Sequence, residues 1–71
     1  MKHLTRFGIL RLQFLQSCKP ELLQEMQHAG ALEDHLVSSQ RSAEWELDQL
    51  IFAGMEEEEA ELFILNEYIM A

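Results

Sequence analysis

The longest regular pattern in the chain runs from Leu32 to Ile51. Leu32, Leu36, Ala43, Leu47, Leu50 and Ile51 recur at steps of 4, 7, 4, 3 and 1, which keeps them on one stripe of an α-helix for about five turns. A helix of this kind draws most of its stability from burying that stripe. The rest of the chain must therefore supply a cover. Three glycines and one proline punctuate the 71 residues, too few breaks for a many-turned β protein. Strand alternation is absent. The expected fold is all-α, one domain over residues 1–71, a small bundle of three to four helices.

The remaining helices follow from local signals. Leu4, Phe7, Phe14, Leu15 and Cys18 share a stripe, which predicts a first helix over 4–17 with Cys18 buried as a small hydrophobe. Pro20 suits a first helical position and Glu21 and Glu25 suit a helix N-terminus. A second helix is predicted over 20–28, with Gly30 as its structural C-cap. The long helix is expected over 32–52. Gly54 interrupts the pattern. Glu56, Glu57, Glu58 and Glu59 then open a last helix over 56–69, where negative charge suits the dipole and the run reads most simply as a solvated helix start.

Two features resist a single-chain reading. Area scaling for 8.3 kDa gives about 12,000 Å² unfolded and about 4,600 Å² folded, so roughly 60% of the surface is buried, which is marginal for a monomer. After Glu61 the last helix is apolar nearly all round. Leu62, Phe63, Ile64, Tyr68 and Ile69 cannot all face one core. They are expected either to form the centre of the domain or to make a homodimer interface that completes the bundle.

Charge is divided unevenly. Residues 1–20 carry Lys2, Arg6, Arg11 and Lys19 and no acid, a net +4, whereas residues 21–71 set thirteen acids against Arg41 alone, a net −12; together these make the −8 of the chain. A −12 surface repels phosphate backbones, so direct nucleic-acid binding by this part is disfavoured. It attracts basic partners and accelerates their association in a salt-dependent way. Solubility is the plainer use of the same charge.

Candidate chemistry is sparse. His3, His28, His35, Cys18, Ser38, Ser39 and the carboxylates show no spacing that suits a nucleophile, a general base or a metal set. His28 and His35 are seven apart, but Gly30 between them should turn the chain, so a two-histidine metal face is not expected. A single cysteine forms no internal disulfide. The chain is read as non-enzymatic, with no cofactor and no metal. Lys2 and Arg6 before an apolar stretch resemble a signal peptide, and Leu15-Gln16-Ser17-Cys18 a lipoprotein box, but Arg11 and Gln13 interrupt that stretch. A membrane span is not expected either. A cytoplasmic protein is expected.

Arg11 falls within the apolar face of the first helix. A buried charge needs a partner, and the expected one is a carboxylate of the last helix, for example Glu58 or Glu67. Trp45 and Phe52, seven apart, point away from the long stripe, and Glu44, Glu46 and Asp48 flank them. An aromatic pair with an acidic rim resembles a binding hot spot. Packing on the first helix or on a dimer partner is the alternative use of both rings.

The segments Phe7-Gly8, Arg11, Phe14-Leu15, Pro20, Leu22, then Gly30-x-Leu32-x-x-His35-Leu36 and Leu65-Asn66-Glu67-x-Ile69 resemble the transposon-encoded TnpV family, in the family's order across most of the chain. The resemblance implies a small helical protein of a bacterial mobile element with no established enzyme activity. It also implies structural roles for Gly30, His35, Asn66 and Glu67. The spacer before Leu65 is shorter than in the family, and Ile9, Leu12 and Gln13 stand where the family carries arginine or lysine. Two functions are expected from charge and resemblance together. The first is a mobile-element or phage inhibitor, a DNA mimic in the manner of anti-CRISPR or anti-restriction proteins, that presents Glu44, Trp45, Glu46, Asp48, Phe52 and residues 56–59 to a basic nucleic-acid-binding protein. The second is a TnpV-like accessory protein that touches DNA through Lys2, Arg6, Arg11 and Lys19.

Overall fold

In the computed structural model, which describes residues 4–70, four α-helices and a terminal π-helical turn account for the chain. They are α1 (Arg6–Cys18), α2 (Pro20–Ala29), α3 (Leu32–Phe52), α4 (Glu57–Ile64) and the π turn (Leu65–Ile69). No strand occurs among the described residues. The fold is all-α, as the periodicity predicts. Lys2 and His3 lie outside the described residues.

Both interhelical glycines close their helices in the same way. After α2, Gly30 takes φ 69° and donates to Gln27 O at 3.2 Å, while Ala31 N–H reaches Met26 O at 2.9 Å. After α3, Gly54 takes φ 103°, its N–H reaches Ile51 O and Met55 N–H reaches Leu50 O, both at 3.0 Å. Each pair is a Schellman motif, which satisfies the last carbonyls and demands a left-handed residue that glycine adopts at least cost. These two turns fold α2 and α4 back onto α3.

The core divides into two apolar clusters. Phe7, Ala43, Ile64 and Ile69 form one, edged by Leu10, Leu47, Leu50, Leu65 and Tyr68. Leu15, Leu32 and Leu36 form the other, edged by Leu4, Leu12, Leu23 and Met26. Phe7 thus meets the far half of α3 and Leu15 its near half, so α1 and α3 run antiparallel. Midway along each helix stands a buried polar residue. Arg11 lies between Phe7 and Leu15, and Gln40 lies between Leu36 and Ala43.

Gln40 serves the start of α1. Thr5, the N-cap, makes no side-chain cap bond; its backbone N–H donates to Gln40 Oε1 at 2.8 Å. A capping box would supply this acceptor from the same helix three residues on. Here α3 supplies it. Gly8 makes the approach possible, because a Cβ at that position would overlap Gln40 Oε1.

The end of the chain departs from the expected single helix over 56–69. Ala60 and Ile64 are buried one α turn apart, and the next buried residue, Ile69, follows five residues later. The π turn explains that step, since its i→i+5 bond, Met70 N–H to Leu65 O at 2.8 Å, lays residues five apart over one another. The widened turn returns Ile69 to the core and leaves Asn66 and Glu67 exposed, so the expected structural roles of those two have no buried contact behind them.

Three further expectations are corrected by packing. Cys18 is exposed, because α1 ends there and the last covered residue of its stripe is Leu15. Ile51 is exposed as well; it lies at the edge of the α3 stripe, well off the line through Leu36 and Ala43. Ile64 and Ile69, expected on a dimer surface, are wholly buried within the single chain.

Candidate functional site

Arg11 is the most deeply set charge. Its side chain is 8% exposed, and desolvation lowers its pKa. The expected carboxylate partners, Glu58 and Glu67, lie exposed. Arg11 instead donates through a terminal nitrogen to Ile69 O at 2.8 Å and through Nε to His35 Nε2 at 3.4 Å, and its guanidinium lies 5.5 Å from the Phe14 ring centre. The Ile69 carbonyl ends the final helix, where orphan carbonyls gather negative potential. A cation therefore closes that end. His35 must accept through Nε2, which fixes the neutral ring with its proton on Nδ1. Burial and the Arg11 charge both lower the pKa of His35.

This arrangement takes Arg11 out of solvent and leaves Arg6 and Lys19 exposed. Arg11 is enclosed, and Arg6 forms an ion pair with Glu61 of α4. Lys19 lies between α1 and α2. Among the described residues no group of three histidine, cysteine or acidic side chains comes together as a metal set. No described helix is long and apolar enough to cross a membrane.

The aromatic pair on α3 stands bare. Trp45 is 64% exposed and Phe52 93%, and about 10 Å of helix rise separates them. Neither packs on α1. Asp48 between them is exposed, and Glu44 and Glu46 are half-buried. The Gly54 turn then brings the chain into α4, whose first turn holds Glu57, Glu58 and Glu59 beside the cap residue Glu56, all exposed. The acidic run therefore begins immediately beyond the end of α3 that carries Phe52. On α4, Leu62 and Phe63 are 63% and 45% exposed. Tyr68 is half-buried.

Sequence reasoning missed a cleft of about 440 Å³ beside Trp45, lined by Arg41, Ser42, Trp45, Glu46 and Tyr68. Its α3 members were legible, because Arg41 and Trp45 are one turn apart, as are Ser42 and Glu46. Tyr68 was not, because only the π turn sets it beside α3. A second cleft of similar size follows the same helix toward its start, between Glu33, Asp34, Val37, Ser38, Arg41 and Ser42. No protein-family model, curated protein or solved structure matches this chain.

Proposed function

We propose that this protein is a non-enzymatic interaction module that docks a basic nucleic-acid-binding protein and modulates or inhibits it. The observation that carries the reading is the bare pair Trp45 and Phe52 on the solvent face of α3, with Glu44, Glu46 and Asp48 interleaved along the same helix and the exposed residues 56–59 following just beyond its end. Large exposed aromatics mark contact surfaces more often than solvated ones. The acidic border selects a basic partner and repels nucleic acid, so the protein would compete with DNA or RNA for its partner's groove. In this reading the role belongs to a mobile element and is exercised in the bacterial cytoplasm, a setting that the resemblance to TnpV proteins supports. A homodimer through Leu62 and Phe63 is compatible with this role, since those side chains lie on α4 rather than on the Trp45 face.

Capture from host extract with the wild-type chain, at low and high salt, identifies the partner, and purified components then give affinities. Exposed single charges contribute about 0 to 1 kcal/mol each, whereas a truncated aromatic anchor costs about 2 kcal/mol or more. Single glutamate changes should therefore act weakly and Trp45→Ala strongly. Reversal of residues 56–59 to lysine should slow association and flatten its salt dependence. Unchanged affinity after that reversal, with helicity verified, would show that the acidity serves solubility alone.

A further inference from the structure

The cleft beside Trp45 has a composition suited to one kind of ligand. Arg41, Ser42, Trp45 and Glu46 of α3 and Tyr68 of the π turn line it together. Two aromatic faces attract a cation through their ring quadrupoles, most strongly at tryptophan. A carboxylate beside them can accept two parallel hydrogen bonds from a planar guanidinium. Glu46 is half-buried, and among the described residues the ion pair found is Arg6 with Glu61, so Glu46 is not neutralised within that set. Arg41 does not occupy the indole either. The guanidiniums that lie over rings are those of Arg6 on Phe7 and Arg11 on Phe14.

The charge around the cleft decides the sign of the ligand. Arg41 is the one basic residue in a stretch with thirteen acids, and it is exposed, where water screens it. Glu46 is better shielded and lines the same cleft as the two aromatic rings. We infer that this cleft receives the guanidinium of an arginine on the basic partner, stacked on Trp45 and Tyr68 and paired with Glu46. The inference rests on the interaction reading above and names the partner group that this face recognises. Arg41 then acts as a like-charged neighbour that weakens the site.

Trp45 is the sole tryptophan, so its emission reports the cleft directly. The probes are capped hexa-arginine and hexa-lysine peptides at matched ionic strength, titrated into the full chain with parallel calorimetry. Hexa-arginine should shift the emission saturably and bind about threefold or more tighter than hexa-lysine, since the ammonium neither stacks nor forks. Glu46→Gln should weaken hexa-arginine about fivefold, whereas Glu57→Gln, which removes the same charge from the start of α4, should change it less than about twofold. Arg41→Gln should tighten it about twofold to fivefold. Equal effects of Glu46→Gln and Glu57→Gln would reduce the binding to a general field and overturn the inference. Weaker binding in Arg41→Gln would also overturn it, because an anion site needs that arginine. Hexa-arginine binding detected by calorimetry with silent Trp45 emission overturns the cleft while leaving acidic docking through residues 56–59 intact. Circular dichroism of each variant confirms that the comparison is made on folded chains.

Discussion

The terminal guanidinium nitrogen of Arg11 lies 2.8 Å from the carbonyl oxygen of Ile69, so a charge in the middle of α1 closes the π turn. The same side chain reaches His35 on α3. One residue therefore ties together three elements between the two apolar clusters.

Replacing Arg11 with alanine removes that tie and leaves the Ile69 carbonyl and His35 Nε2 without their donor. Hydrogen bonds to charged groups contribute about 1.5–3 kcal/mol, and the contact with Phe14 is lost as well. Urea unfolding should show a loss of about 2–3 kcal/mol, with Arg11→Lys recovering less than half, because an ammonium lacks the fork that reaches two acceptors. Equal stability of Arg11→Ala and wild type would mean that water replaces the guanidinium without cost.

Gly8→Ala tests the meeting of α1 and α3. Alanine raises helix propensity by about 0.5–1 kcal/mol, yet its Cβ would displace the Gln40 carboxamide and free the Thr5 N–H, a loss of about 1–3 kcal/mol. The second effect is larger. A net loss of about 1 kcal/mol is expected in wild type, and a gain in a Gln40→Ala background. A double-mutant cycle with additive values would remove the proposed contact.

Stability should fall on mild acidification because of His35. The folded chain holds its pKa below the ordinary 6.5, so the unfolded chain takes up the proton first and binds more protons throughout the interval. The contribution is complete above pH 6.5 and is lost as the pH drops through 6.5 toward the lower folded value. Most carboxylates stay ionised down to about pH 5 and do not mask the effect. Urea midpoints measured from pH 8 to pH 5.5 should decline for wild type and hold nearly level for His35→Gln, which keeps an acceptor for Arg11. A flat wild-type profile would contradict this account.

Cys18 should react completely with a thiol reagent under native conditions, without denaturant, because its side chain is exposed. Slow reaction that tracks global unfolding would place it in a core instead.

Much of this arrangement could be read from residue spacing. Leu32, Leu36 and Ala43 lie buried along the predicted stripe, and Trp45 and Phe52 lie opposite it, because α3 is regular and long enough for angle alone to decide. Angle fails where depth matters. Cys18 has the right direction but sits beyond the last covering helix, and Ile51 lies too near the stripe's edge. Gln40 carried a signal that went unused, a glutamine placed in line with Leu36 and Ala43. The π turn carried none, since an α-helical count assigns Ile69 to a different face and gives no hint that its carbonyl awaits Arg11. The cleft at Trp45 depended on that same turn and was hidden with it.

The pairs that fasten α1 are distant in sequence. Thr5 and Gln40 are 35 residues apart, Arg6 and Glu61 are 55 apart, and Arg11 and Ile69 are 58 apart. The hairpin of α3 and α4 closes over a few residues and can form early and fast. The first helix packs on α2 across a one-residue joint, but its ties to Gln40, Glu61 and Ile69 each require a large ring of chain to close before those contacts reward it. Folding should therefore be slower than in bundles made only of neighbouring hairpins, with the docking of α1 on α3 and α4 the last step.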